Sequence, residues 1–508
     1  MLVQTSNMAF ATQPVLGFAS PGIPSPMRLH SRGGAMESAL VKPRASLRRG
    51  VAPGVVRQRK APVLMMKTSE SGDAAGKIDY KAGSGYSPSD VDRGASPAVT
   101  KELLSGLVVA LASVPTSIAF ASIAGVSPLI GIWSSVVLGA VSTGVGGRPG
   151  LIAGAAGVVV VPLAPLIASH GQVYMAPTVV LAALMIAAFG ALKLGRLVDL
   201  VTDNVMKGFL NGLGCLLIKS QLAVLLGLTG AAQAATLAVA LFTGLVVKLL
   251  PKVTTAIPSS LAAVVLATAL SAALQLPVAT LAQGNAATFA GGLAVLPTWA
   301  GVGALTAVPW TAATLRVIFP VAVSIAMISV LETLLASKVV AEQASNDGRA
   351  SLGSNNRLLA GLAAGNVASA ALGGFGGCGL IPQTLLNAQS GGRGALSAIG
   401  YAASMGGCVV LAAPAIGAIP VASLAGVMLA VAFATVQVEG TTAAIKAATP
   451  VGGRWNTAAV ADLVALLAAS MVCFFVDMAA GIVLGVALTK VLPRGASSLP
   501  EKESSPSA

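Results

Sequence analysis

Val317-Ile-Phe-Pro-Val-Ala-Val-Ser-Ile-Ala-Met-Ile-Ser-Val-Leu-Glu-Thr-Leu-Leu-Ala336 holds one ionisable residue, Glu332, in twenty positions. About 20 apolar residues is the length a helix needs to cross a bilayer. Working outward, apolar blocks of about 15–24 residues, split by short polar or Gly/Pro breaks, recur from Leu103 to Leu492. Fourteen are counted, near 103–121, 129–145, 150–168, 177–194, 205–229, 235–250, 259–275, 314–337, 358–372, 379–389, 395–413, 418–435, 456–475 and 479–492. The stretch 276–313 reads as a short surface helix or loop. Composition agrees with this pattern. Of 508 residues, 55% are hydrophobic and only 9% charged, against roughly 25% charged in soluble proteins. A soluble enzyme and a disordered chain are both excluded. The fold expected is an all-α polytopic membrane protein.

Charge tests the count. Beyond residue 97, sixteen of eighteen Lys and Arg fall in the even-numbered loops or at the two ends; the exceptions are Lys219 and Arg316. A miscount by one segment would scramble this asymmetry, so the positive-inside rule supports fourteen segments with both ends on the cytoplasmic or stromal side. The other half of the net charge of +14 lies N-terminal. Residues 1–66 carry nine basic residues and one acid among Ser, Ala, Pro and Gly, the composition of an organelle transit peptide. The domain reading is therefore a leader at 1–66, a polar tail at 67–100, a transport domain at 101–493 and a short tail at 494–508. It places the protein in a chloroplast envelope or thylakoid membrane. Neither half of the charge forms a patch for nucleic acid.

Two blocks differ from the rest. The third opens with Gly146-Gly-Arg-Pro-Gly-Leu-Ile152 and contains Pro162 and Pro165; the tenth opens with Gly376-Gly-Cys-Gly-Leu-Ile381 and is short. They stand seven segments apart, which makes the two halves inverted repeats, and interrupted helices at matching places mark a transporter's binding site. Their N-terminal ends favour an anion. Glu332 is the candidate functional acid, because ionisable groups inside membrane segments are costly; pairing with Lys338 is the alternative. Pro115 and Thr116 interrupt the first block. Gln383 and Asn387 lie one turn apart, either lining a cavity or joining helices. Lys219 either reaches toward one face or pairs with a distant acid, and Asp477 reads as a loop charge. The four cysteines, Cys215, Cys378, Cys408 and Cys473, lack metal or disulfide spacing and read as small buried hydrophobes. No cofactor or metal is expected, and no hydrolase, zinc-protease or phosphate-loop motif occurs.

Leu104-Ser-Gly-Leu-Val-Val-Ala-Leu-Ala-Ser-Val-Pro-Thr-Ser-Ile-Ala-Phe-Ala121, Gly125–Trp133 and Gly146–Gly157 resemble the SulP family of anion permeases. So do Leu331-Glu-Thr-Leu-Leu-Ala-Ser337 and Gly373-Gly-Phe-Gly-Gly-Cys-Gly-Leu-Ile-Pro-Gln-Thr-Leu-Leu-Asn-Ala-Gln-Ser-Gly-Gly-Arg393. The resemblance covers about 103–492. It implies two inverted seven-helix repeats, core and gate domains, a homodimer, and an inorganic anion such as sulfate or bicarbonate between the ends of helices three and ten. Glu332 matches the family's eighth-helix acid, implying proton or sodium coupling, and Ala336 stands where sodium-coupled members tend to have Thr. Ala156 replaces a third-helix Thr, which leaves the backbone of Gly157, Gly379 and Leu380 to hold the anion beside Pro115, Thr116 and Gln383. The family's C-terminal regulatory domain is not found in this sequence. A nucleobase or organic-carboxylate permease of the same fold is the first alternative, and a non-transporting membrane scaffold the second.

Overall fold

The computed structural model describes residues 95–193, 201–254, 257–284, 289, 295–346, 354–449 and 456–492. The readings for 1–66, for most of 67–100 and for 494–508 lie outside these residues. Each of the fourteen apolar blocks coincides with a helix. The first four are α1 (Ala95–Ala124), α2 (Pro128–Val145), α3 (Gly157–His170) and α4 (Met175–Ala191). Next come α5 (Asp203–Leu226), α6 (Gly230–Val253), α7 (Ser259–Ala273), a short α8 (Ala300–Ala307) in the stretch read as helix or loop, and α9 (Ala312–Asn346). The remainder are α10 (Asn355–Ala371), α11 (Ile381–Gln389), α12 (Ala395–Gly417), α13 (Val421–Thr435), a short α14 (Val438–Ala448), α15 (Thr457–Phe475) and α16 (Met478–Val491). Among the described residues, nine helical stretches are long and apolar enough to cross a membrane, and α3, α7 and α16 are shorter apolar helices.

The third and tenth blocks are not helical throughout. Two-residue strands, β1 (Ala153–Gly154) and β2 (Cys378–Gly379), precede α3 and α11 and pair antiparallel, Ala153 opposite Gly379 and Gly154 opposite Cys378. The fourteen residues of α3 rise only about 21 Å, short of a hydrocarbon core of about 30 Å; extended backbone supplies the rest. The helices expected from residues 150 and 379 therefore begin at Gly157 and Ile381.

The expected breaks at proline are also corrected. Pro162 and Pro165 lie inside a continuous α3, and Pro115 inside a continuous α1. A single missing N–H is tolerated where neighbouring groups and helices satisfy the backbone; Thr116 Oγ1 donates to the Ser113 carbonyl at 2.9 Å.

Packing divides the helices into two groups. The first contains α1–α4 and α9–α12; the second contains α5–α7 with α13, α15 and α16. The pattern repeats at seven segments: α1 on α12 matches α9 on α4, α2 on α12 matches α10 on α4, α5 on α15 matches α13 on α6, and α1 on α11 matches α9 on α3. Exchanging Ala153 with Cys378 and Gly154 with Gly379 maps the strand pair onto itself. The repeats are thus inverted and meet at β1–β2, as the spacing of the Gly-rich entries implied.

Candidate functional site

Extended backbone inside an apolar bundle must find hydrogen-bond partners, and here polar side chains from neighbouring helices supply them. Phe375 N–H donates to Ser134 Oγ (3.1 Å), Gly376 N–H to Ser369 Oγ (3.2 Å), Gly377 N–H to Asn366 Oδ1 (3.0 Å) and Gly379 N–H to Thr333 Oγ1 (2.8 Å). On the other strand, Ile152 N–H donates to Thr384 Oγ1 (3.1 Å) and Ala155 N–H to Ser135 Oγ (3.0 Å). Leu380 N–H bonds the Ile152 carbonyl at 2.8 Å. Two glycines are required by geometry. Gly376 has φ +72°, and a Cβ at Gly377 would collide with the Gly154 carbonyl.

From this junction α3 and α11 both open. Neither N-cap, Ala156 nor Leu380, has a side-chain cap. The first turn of a helix leaves N–H groups without intrahelical partners, so two positive helix ends are available for an anion. Pro382 has no N–H to contribute, which suits its place in the first turn. Ala156 and Leu380 are buried and Gly157 half-buried. The Phe120 ring, from α1, packs so closely on Gly157 that a Cβ there would lie 2.8 Å from it. Gln383 is half-buried, and its amide has no hydrogen-bond partner among the described residues. Pro115 is buried and Thr116 half-buried on the α1 stretch leading to Phe120.

Glu332 enters from α9, half-buried, and its Oε2 accepts a hydrogen bond from Cys378 Sγ at 2.9 Å. Ala336, one turn on, is fully buried. The junction therefore brings together Ala156, Gly157, Gly379, Leu380 and Glu332. The Gly379 and Leu380 N–H groups expected to hold the anion, however, are already committed to Thr333 Oγ1 and the Ile152 carbonyl, because extended backbone in an apolar bundle must pair.

Other polar residues are reassigned. Asn387 does not face a cavity: its Nδ2 donates to the Gly150 carbonyl (2.9 Å) and Ser397 Oγ (2.8 Å), and its Oδ1 accepts from Ser105 Oγ (2.7 Å). It joins three segments, as the helix-joining reading had it. Lys219 is exposed, with its Nζ 5.7 Å from the Phe474 ring centre. Asp477 is more than a loop charge, since it caps α16 and accepts a bond from Ser324 on α9. The cysteines are not uniformly buried: Cys378 and Cys473 are, Cys215 is exposed and Cys408 intermediate. Sequence reasoning did not single out Thr333 and Phe120, and it took Cys378 for packing alone. The signal for Thr333 and Cys378 was their adjacency to Glu332 and Gly379.

Comparison with known proteins gives the family. A model of the sulfate permease family matches residues 99–450. The chain belongs to the sulfate permease family. Its relatives include YbaR of Bacillus subtilis (strain 168), named for sulfate transport, 32% identical over 338 residues, or 66% of this chain and 67% of that one. Another is the bicarbonate transporter BicA of a Picosynechococcus species, 29% identical over 354 residues, or 64% and 60% of the two chains. The chain thus spans about three-fifths to two-thirds of these relatives' lengths. The solved transmembrane domain of a cyanobacterial BicA superposes with a TM-score of 0.62 at 25% identity, over 77% of this chain and 97% of that domain. These relatives are named as transporters, and the family resemblance read from the sequence is borne out.

Proposed function

We propose that the protein is a secondary transporter of a small inorganic anion, sulfate or bicarbonate, that works by alternating access and is driven by a proton or sodium ion through Glu332. The observation that carries the reading is the meeting of two helix N-terminal ends at β1–β2 with one membrane acid bonded to the same strand. Each end is equivalent to roughly half a positive charge, so the pair complements an anion without a basic side chain. Gln383 supplies an amide and Phe120 an apolar wall. A cation on Glu332 offsets the carboxylate when the anion enters, which ties the two gradients together. The group containing α1–α4 and α9–α12 carries this site, and its movement against the group of α5–α7, α13, α15 and α16 exposes it alternately. A leader at 1–66, a plastid membrane and a homodimer belong to the same proposal and rest on composition and resemblance.

The test is uptake of labelled sulfate and bicarbonate into proteoliposomes under separately imposed proton and sodium gradients. Glu332→Gln is expected to abolish the response to the cation gradient while anion exchange persists. Unchanged gradient-driven uptake overturns the role of Glu332. Competition by oxalate or uracil but not by bicarbonate or sulfate overturns the inorganic-anion assignment.

A further inference from the structure

Two consecutive residues of α9 contact two consecutive residues of β2. Thr333 Oγ1 accepts the Gly379 N–H at 2.8 Å, and Glu332 Oε2 accepts the Cys378 thiol at 2.9 Å. The first contact satisfies the backbone and is indifferent to charge. The second is different, because its acceptor is the ionisable group that the proposed function assigns to coupling, and the present inference rests on that reading. Cys378 is fully buried, and around Glu332 the α9 residues Leu331, Leu334 and Ala336 are buried as well. Thiols are weak donors in water, but a hydrogen bond is stronger in a medium of low dielectric.

The strand pair itself does not require a thiol at this place. The symmetry of the β1–β2 ladder exchanges Cys378 with Ala153, so a methyl group serves the same backbone role in the first repeat. The thiol–carboxylate contact is an addition of the second repeat.

We propose that Cys378 is a positioning residue for Glu332, and that its thiol transmits occupation of Glu332 by the coupling cation to β2 and to the entry of α11. Hydrogen bonds to an ionised acceptor are roughly twice as strong as neutral ones. A proton or sodium ion on Glu332 weakens the acceptor, loosens the Cys378 contact, and frees β2 to shift the helix end that holds the anion. The Thr333–Gly379 bond keeps the strand tethered to α9 as it shifts.

The experiment compares Cys378→Ala, Cys378→Ser and Glu332→Gln in the full-length reconstituted protein. The infrared S–H stretching band of Cys378 is assigned by its loss in Cys378→Ala, or in Cys378→Ser should the alanine variant not fold. It is expected to move toward the free-thiol position in Glu332→Gln; an unmoved band overturns the proposal. In transport, Cys378→Ala is expected to lower the ratio of gradient-driven uptake to anion exchange about tenfold, the effect of losing one hydrogen bond to a charged group, with Cys378→Ser restoring most of it. Equal ratios in the two variants, or a ratio unchanged in Cys378→Ala, likewise overturn it. A wild-type protein that moves no anion refutes the transport reading separately, because the spectroscopic result does not depend on flux.

Discussion

Asp477 joins the two helix groups, and breaking that junction gives the most direct view of their relative motion. Its Oδ1 accepts the N–H groups of Ala479 (2.9 Å) and Ala480 (3.0 Å), capping α16, while Oδ2 accepts Ser324 Oγ of α9 at 2.6 Å. The inverted counterpart runs from α7 to α1, where Ser260 Oγ donates to the Ala112 carbonyl at 3.2 Å. The two contributions of Asp477 separate by substitution. Ser324→Ala removes the bond between groups, worth about 1.5–3 kcal/mol when one partner is charged, together with a 3.1 Å contact of the same hydroxyl to the Pro320 carbonyl within α9. Asp477→Ala also removes the cap, worth about 1 kcal/mol, whereas Asp477→Asn keeps the cap, since Asn ranks with Asp at this position.

If the groups move apart in the transport cycle, Ser324→Ala biases the equilibrium away from the conformation described here by one to two orders of magnitude. Spin labels at the exposed Val367 on α10 and Val483 on α16 read this as a shifted distance distribution in the absence of substrate. Combining Ser324→Ala with Asp477→Asn is expected to add little to the larger single effect, because both act on one bond. An unchanged distribution in Ser324→Ala, or full additivity in the double variant, refutes the reasoning.

Glu102 presents a second test, of stability. Its carboxylate takes the N–H groups of Arg393 (2.7 Å), Gly394 (2.9 Å) and Ser397 (3.1 Å) at the start of α12; Glu102→Ala is expected to cost about 3 kcal/mol, read as a lowered unfolding midpoint in detergent, with Glu102→Gln intermediate. Gly377→Ala drives a methyl into the Gly154 carbonyl and is expected to abolish transport even where the protein remains monodisperse. Gly407→Ala, with nothing within 4 Å of its added Cβ, is expected to be neutral or up to about 1 kcal/mol stabilising in α12, and a transport loss equal to that of Gly377→Ala would refute the collision argument.

The reading of Val317–Ala336 as a membrane helix, the count of fourteen segments and the special standing of the third and tenth all came from properties local to the chain. Apolar runs, loop charges and Gly-rich entries act over a few residues, and solvent and lipid sort them without reference to the rest of the molecule. Helix limits were less legible near proline and glycine. The prolines of α1 and α3 do not end their helices, whereas the Gly-rich runs are turns and irregular backbone leading into two-residue strands. In both cases the outcome depends on which partners neighbouring helices offer to freed backbone groups.

The site is the clearest case. Glu332 stood out at once, because a charge in an apolar run is visible in one dimension. That it meets Cys378, that Asn387 ties Ser105 to Gly150, and that Asp477 reaches Ser324 are contacts between residues 46 to 282 positions apart. Amino-acid order therefore determined the spanning segments and their repeat. The pairing of β1 with β2, and the partner of each polar side chain, were decided only when the inverted halves packed together, since buried polar groups must find their hydrogen bonds across that interface.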